Sequence, residues 1–208
     1  MRAELRIVAG DLKGRKLSVQ VSPELRPTPQ MFREALFSIL GNAIPDRPFI
    51  DIFAGTGIVG LEALSRGAKA AIFVERDVRL AHEVESYLQK FKLTRQGRIY
   101  RTDAYHWIAA WRAPAEPVNV FLSPPFADLT DRAGDLVEAL RVLQDKVAEE
   151  SVIILQSERG CPLEEHPALA EWEHRRYSRN VLLLWQKGEE AARDEPADGK
   201  YDGDDDRT

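Results

Sequence analysis

Phe49-Ile50-Asp51-Ile52-Phe53-Ala54-Gly55-Thr56-Gly57-Ile58-Val59-Gly60 decides the fold: an apolar β-type run, a carboxylate near its end, and three glycines opening a helical pattern that continues to Arg66. Strand, tight turn and helix in that order make the first part of a βαβ unit, and the pattern repeats downstream. Ala70–Glu75 precedes a helical pattern from Asp77 to Phe91, and Arg98–Thr102 precedes one around Ala104–Trp111. Val118–Leu122 precedes one from Asp131 to Val147, before the apolar run Val152–Gln156. This alternation predicts a mostly parallel sheet covered by helices on both faces, a doubly wound α/β fold. Past Pro162 comes a short helical piece near Leu163–Ala170. Trp172–Tyr177 and Val181–Gln186, joined through Ser178-Arg179-Asn180, then predict an antiparallel pair closing the sheet edge.

Upstream, Leu5–Ala9 and Lys16–Val21 flank Gly10-Asp11-Leu12-Lys13-Gly14 and read as a β-hairpin presenting Lys13, Arg15 and Lys16 near its tip. Thr28 is expected to cap a helix whose first position is Pro29, with Phe32, Ala35, Leu36, Ile39, Leu40 and Ala43 at helical spacing. The expected organisation is therefore an N-terminal hairpin and helix extension over residues 1–46, an α/β domain over 47–187 and a tail over 188–208.

The 208 residues carry a formal charge of −5, which conceals an uneven distribution. The stretch from Gly188 holds nine acids against Arg193, Lys200 and Arg207, so the remainder is +1. With almost no apolar residues, that stretch is expected to be disordered, since burial cannot offset its ordering entropy. Residues 1–33 hold seven basic side chains against three acids, which fits a polyanion partner or an ordinary solvated surface. Cys161 is the only cysteine, which excludes an intrachain disulfide and a cysteine metal cluster. No run approaches the ~20 apolar residues of a membrane span. The start of the chain lacks the apolar core of a signal peptide. A cytoplasmic protein without membrane contact, and a monomer, is expected.

Ligands of doubly wound sheets lie at the carboxyl ends of the strands, where this chain places Asp51, Glu75 and Asp103. The spacing G-x-G-x-x-G is by itself a weak signal, shared with dinucleotide sites. Glu75, 20 residues after Gly55, is placed to hold two ribose hydroxyls, and Asp103 to reach an adenine. A dinucleotide uses the glycine turn for its pyrophosphate, whereas S-adenosylmethionine offers an amino-acid end that suits Asp51 and the loop amides. The candidate donor site is Asp51, Phe53, Ala54, Gly55, Thr56, Gly57, Glu75, Arg76, Asp103 and Ala104. Acids at strand ends also serve as helix caps, the role expected of Asp77.

The run Val118–Leu122 ends at Ser123-Pro124-Pro125-Phe126, the candidate catalytic turn. An exocyclic amine on a nucleobase is a poor nucleophile because its lone pair is delocalised into the ring. Hydrogen bonds from that amine to the Ser123 hydroxyl and the Pro124 carbonyl would aim its lone pair at a sulfonium methyl, and Phe126 would stack on the base. Catalysis would then rest on positioning. Alternatively, the prolines only end a strand and Phe126 is core.

The chain resembles the RsmD-type 16S rRNA guanine-N2 methyltransferases, bacterial enzymes of the class I S-adenosylmethionine-dependent, Rossmann-like superfamily. The resemblance runs from about Arg6 to Gln186. It rests on Arg6-Ile7-Val8-Ala9-Gly10 with Lys13-Gly14-Arg15-Lys16-Leu17, on Arg26-Pro27-Thr28 followed by Arg33-Glu34-Ala35-Leu36-Phe37, on the glycine loop, on Gly60-Leu61-Glu62-Ala63-Leu64-Ser65-Arg66-Gly67, and on the Pro-Pro-Phe turn. It implies a seven-stranded sheet, S-adenosylmethionine as donor, S-adenosylhomocysteine as product, and a guanine in 16S rRNA or a small-subunit precursor as acceptor. It also implies Thr28 near the cofactor, Arg26 and Arg33 near RNA, and Lys13, Arg15 and Lys16 gripping phosphate. The family's turn commonly begins with Asp; Ser123 accepts a hydrogen bond but offers no carboxylate charge.

Other readings stay open on the sequence alone. Methylation of an adenine N6 or a glutamine amide uses a related turn, and a catalytically silent rRNA-binding assembly factor would tolerate Ser123. A nicotinamide-dependent oxidoreductase lacks an evident hydride-transfer acid here. His82, His106, His166 and His174 are scattered without helical metal-ligand spacing, so no metal is expected.

Overall fold

The computed structural model describes residues 2–20 and 27–188, so Arg26 and the acidic segment after Gly188 lie outside the described residues. The chain begins with β1 (Arg2–Arg6) and β2 (Lys16–Gln20), paired antiparallel with Leu5 opposite Leu17. Helix α1 (Gln30–Leu40) leads to β3 (Pro48–Ile52), α2 (Ile58–Ser65), β4 (Ala70–Val74), α3 (Val78–Lys90), β5 (Gly97–Tyr100) and α4 (Ala104–Ala110). Then come β6 (Asn119–Leu122), α5 (Phe126–Thr130), α6 (Ala133–Lys146), β7 (Val152–Glu158), β8 (Glu173–Tyr177) and β9 (Asn180–Gln186).

The main sheet has seven strands in the order β5-β4-β3-β6-β7-β9-β8. The first five are parallel, and β9 and β8 join antiparallel at the edge. Strand order reverses at β3, whose neighbours are β4 and β6, so a crevice opens beyond its carboxyl end. Successive side chains of a strand face opposite ways, and the core divides accordingly. Phe49, Phe73, Phe121 and Ile154 belong to one buried cluster; Ile50, Ile52, Val120, Leu122 and Leu155 belong to the other. Ile7, Leu17 and Val19 of the hairpin and Phe32 and Leu36 of α1 share the first cluster.

Three local expectations need correction. Strand β1 stops at Arg6, short of Ala9: Ile7 still exchanges backbone hydrogen bonds with Arg15 and Gly14, and the segment after it docks on the end of α2. There Asp11 N–H donates to the Ser65 carbonyl at 2.8 Å, Leu12 N–H donates to the Ser65 hydroxyl at 2.9 Å, and that hydroxyl donates to the Ala9 carbonyl. Gly10, at φ +78, lies so close that a Cβ would overlap the Ser65 carbonyl oxygen. Thr28 is not the cap of α1: Pro29 is extended, the helix starts one residue later, and the Thr28 hydroxyl points elsewhere. Finally, the helical pattern expected from Asp131 is preceded by α5, which begins at Phe126 directly after Pro125. Pro125 is its N-cap, and the Pro125 carbonyl accepts the first helical hydrogen bond, from Asp128 N–H at 2.9 Å.

Candidate functional site

Beyond Ile52 the backbone makes three left-handed residues in five, Phe53 at φ 60, Gly55 at φ 53 and Gly57 at φ 71. Gly57 caps α2, and a Cβ there would come within 2.7 Å of Val84. Phe53 has no glycine's freedom, and a residue so placed costs about 1–3 kcal/mol. Its ring packs edge-on against Tyr105, centroids 5.8 Å apart.

Two carboxylates hold this turn in place. Gly60 N–H donates to Asp51 Oδ2 at 2.9 Å, and Asp51 is 1% exposed. Burial pushes its pKa up from 3.8 to about 8; the Gly60 bond opposes the rise and the nearby Glu75 charge adds to it. A carboxyl in that setting ionises readily only beside a cation. Glu75 Oε2 accepts from Gly55 N–H and Oε1 from Asp77 N–H, both at 2.8 Å, so it ties the glycine turn to the start of α3. Each oxygen retains a second lone pair for a ligand hydroxyl. Asp77 itself caps α3, accepting from Arg79 and Leu80 N–H.

The turn opens into a cleft of about 1080 Å³. Asp51, Phe53, Ala54, Gly55, Thr56, Glu75, Arg76, Ala104 and Thr28 line it. Gly57 and Asp103 do not: Gly57 is buried under Val84, and Asp103 caps α4 by accepting from Tyr105 and His106 N–H at 2.9 and 3.1 Å. Thr102 and Ala104, on either side of Asp103, form that part of the wall instead.

Ser123, Pro124, Pro125 and Phe126 line the same cleft. Ser123 N–H donates to the Ile52 carbonyl at 3.2 Å, which sets the Ser-Pro-Pro-Phe turn beside the glycine turn. The first carbonyl α5 uses is that of Pro125, which accepts from Asp128 N–H at 2.9 Å, so Pro124 stands ahead of the helix. Phe126 is 58% exposed. It is not core. Helix α5 is anchored to α4 by the Tyr105 hydroxyl, which donates to Asp128 Oδ2 at 2.7 Å, while the Arg132 guanidinium lies over the Tyr105 ring at 4.0 Å. Burial and the Asp128 bond both raise the Tyr105 pKa, so it stays a donor.

A polar cluster that the sequence reading missed closes the far wall. Gln156 Oε1 accepts from the Ser123 hydroxyl at 3.2 Å and the Thr28 hydroxyl at 3.3 Å, and Gln156 Nε2 donates to Asn180 Oδ1 at 3.3 Å. The available signal was a glutamine ending the apolar run Val152–Leu155, one strand from the acceptor turn.

Among the residues expected to meet RNA, Lys13, Arg15 and Lys16 are exposed on the hairpin, with Lys16 also 2.9 Å from Glu4. Arg33 is a correction. It is 2% exposed, with Nε 3.2 Å from a carboxylate oxygen of the fully buried Glu62. Its other nitrogens donate to the carbonyls of Thr28 at 2.7 Å and Arg6 at 2.8 Å. Arg33 therefore fastens hairpin, linker and α2 together and presents nothing to solvent.

A doubly wound sheet with an antiparallel edge pair, a glycine turn and acid-tipped strands along one crevice has the architecture of the class I methyltransferases. The chain belongs to the family described as Conserved hypothetical protein 95, whose family model matches residues 5–186. It is 38% identical over 163 residues to the Ribosomal RNA small subunit methyltransferase D of Escherichia coli strain K12, covering 76% of this chain and 78% of that protein. The protein of the same name from Haemophilus influenzae is 37% identical over 164 residues, covering 78% and 83%. The solved structure of Escherichia coli yhhF superposes with a TM-score of 0.72 at 33% identity, covering 89% of this chain and 98% of that one.

Proposed function

We propose that this chain transfers a methyl group from S-adenosylmethionine to the exocyclic N2 amine of a guanine in small-subunit 16S rRNA. The observation that carries the proposal is the junction of two sites in one cleft: the carboxylate-braced glycine turn after β3 and the Ser-Pro-Pro-Phe turn after β6. The relatives named as small-subunit rRNA methyltransferases support the substrate class.

The residues present fit the donor. Asp51 is a buried carboxyl that needs a cation, which the donor's ammonium supplies; Glu75 keeps lone pairs for ribose hydroxyls; Thr102 and Ala104 offer a wall for the adenine. When bound, the donor contributes an electrophilic methyl on a sulfonium. The protein's part is orientation. The Ser123 oxygen and the Pro124 carbonyl accept the two N–H groups of the target amine, which turns its lone pair toward the donor end of the cleft. Phe126, exposed at the start of α5, offers its face to the base. None of these groups is a strong base, so rate comes from alignment.

Incubation with labelled donor and small subunits, or their RNA, lacking the modification tests the proposal. Label in one segment of 16S rRNA is expected. No label in any assembly state overturns it.

A further inference from the structure

Gln156 joins three stretches of chain that are far apart in sequence: Thr28 before α1, Ser123 after β6, and Asn180 at the start of β9. All four residues line the cleft. The pattern of donors and acceptors within this cluster matters more than its presence.

A serine hydroxyl has one proton and two lone pairs, and it turns to suit its neighbours. A carboxylate in the same place would be an acceptor by nature; a serine is one only when its proton is engaged elsewhere. Here the proton goes to Gln156 Oε1 at 3.2 Å, and in the same orientation the amide donates from Nε2 to Asn180 Oδ1 at 3.3 Å. The Thr28 hydroxyl takes the second lone pair of the same oxygen. Thr28 is itself 6% exposed, and its carbonyl is held by the buried Arg33. The Ser123 oxygen is left with its lone pairs for the cleft.

We infer that Gln156 is a positioning residue for the methyl acceptor: by taking the Ser123 proton it makes Ser123 an obligate hydrogen-bond acceptor toward the target amine. The inference rests on the amine-methylation reading above and names a residue that acts on the substrate only through Ser123. A wrongly turned hydroxyl would point its proton at the amine and disfavour the productive orientation.

The test is a double-mutant cycle in the full-length protein, with methylation of small-subunit RNA, donor calorimetry and thermal melting read for each variant. Loss of one oriented hydrogen bond is worth about tenfold in rate. Gln156→Met should lower kcat by about tenfold, leave donor affinity unchanged, and add nothing further in a Ser123→Ala background. Gln156→Glu, which keeps an acceptor at this position, should restore kcat above that of Gln156→Met, whatever either does to the melting temperature. Unchanged kcat in Gln156→Met, losses that multiply in the double variant, or no rescue by Gln156→Glu would each overturn the inference. A wild-type protein that labels no RNA overturns the methyl-transfer reading beneath it, a distinct result.

Discussion

Asp51 poses a charge problem that the proposed donor would resolve. Its carboxyl titrates at about 8 in the folded protein against an ordinary aspartate value of 3.8, because burial penalises the ionised form. Between those values the folded state keeps a proton that the unfolded chain has released, so ligand-free stability from this group falls as pH rises from about 4 to about 8. In the proposed complex donor binding has the opposite slope, because a cationic amino group would pair with the ionised carboxylate. Calorimetry should show affinity rising from about pH 6 toward 8, where an α-amino group itself begins to deprotonate. Asp51→Asn should bind weakly at every pH. A wild-type affinity that is flat over that range would contradict the assignment. Arg33 gives a different residue-scale prediction: Arg33→Met leaves the buried Glu62 with Arg66 as its remaining partner and strands the Thr28 and Arg6 carbonyls, so it should cost about 3 kcal/mol in urea unfolding. Loss of RNA affinity without loss of stability would restore its role as an RNA contact. The sequence places Arg33 off the apolar stripe of its helix, which reads as exposed; its burial depends on Glu62, 29 residues away, and no local pattern reveals that pairing.

The elements were more legible than the side chains that join them. Apolar runs alternating with helical periodicity specify a doubly wound sheet, because parallel strands must be covered on both faces. Glycines after a strand specify a turn that only left-handed residues make. Asp77 at the start of a helical pattern reads directly as a cap, and it is one. Thr28 read as a cap by the same logic, and there tertiary structure prevailed: its hydroxyl found Gln156, on a strand 128 residues later. Helix α5 is too short for periodicity to show, and Phe126 became visible as a helix start only once the Pro-Pro turn had a direction. At this scale Gly10 is decisive. Gly10→Ala places a methyl on the Ser65 carbonyl and strains a backbone at φ +78, so the hairpin must leave α2. Amide exchange at Asp11 and Leu12 should accelerate while donor affinity holds; unchanged protection of both amides would refute the docking of this segment on α2.

Over the whole molecule, the cleft and the basic hairpin face the two needs of the proposed reaction, a small cationic donor and a large anionic acceptor. The −5 total understates this, since the excess negative charge lies after Gly188 and the rest of the chain is +1. Reversing Arg15 and Lys16 together should weaken RNA binding and reduce the magnitude of its log–log salt slope by about two, with donor affinity unaffected. An unchanged slope would make the hairpin ordinary surface. The proposed reaction turns on which atom receives the methyl group, and Ser123, a hydroxyl rather than a carboxylate, is the residue proposed to hold that atom. Nucleoside mass spectrometry of small-subunit RNA treated with protein and S-adenosylmethionine addresses that atom directly. A single N2-methylguanosine is expected, absent without protein and strongly reduced by Ser123→Ala. Methyl groups found on adenine N6, or on no nucleoside at all, would overturn the assignment.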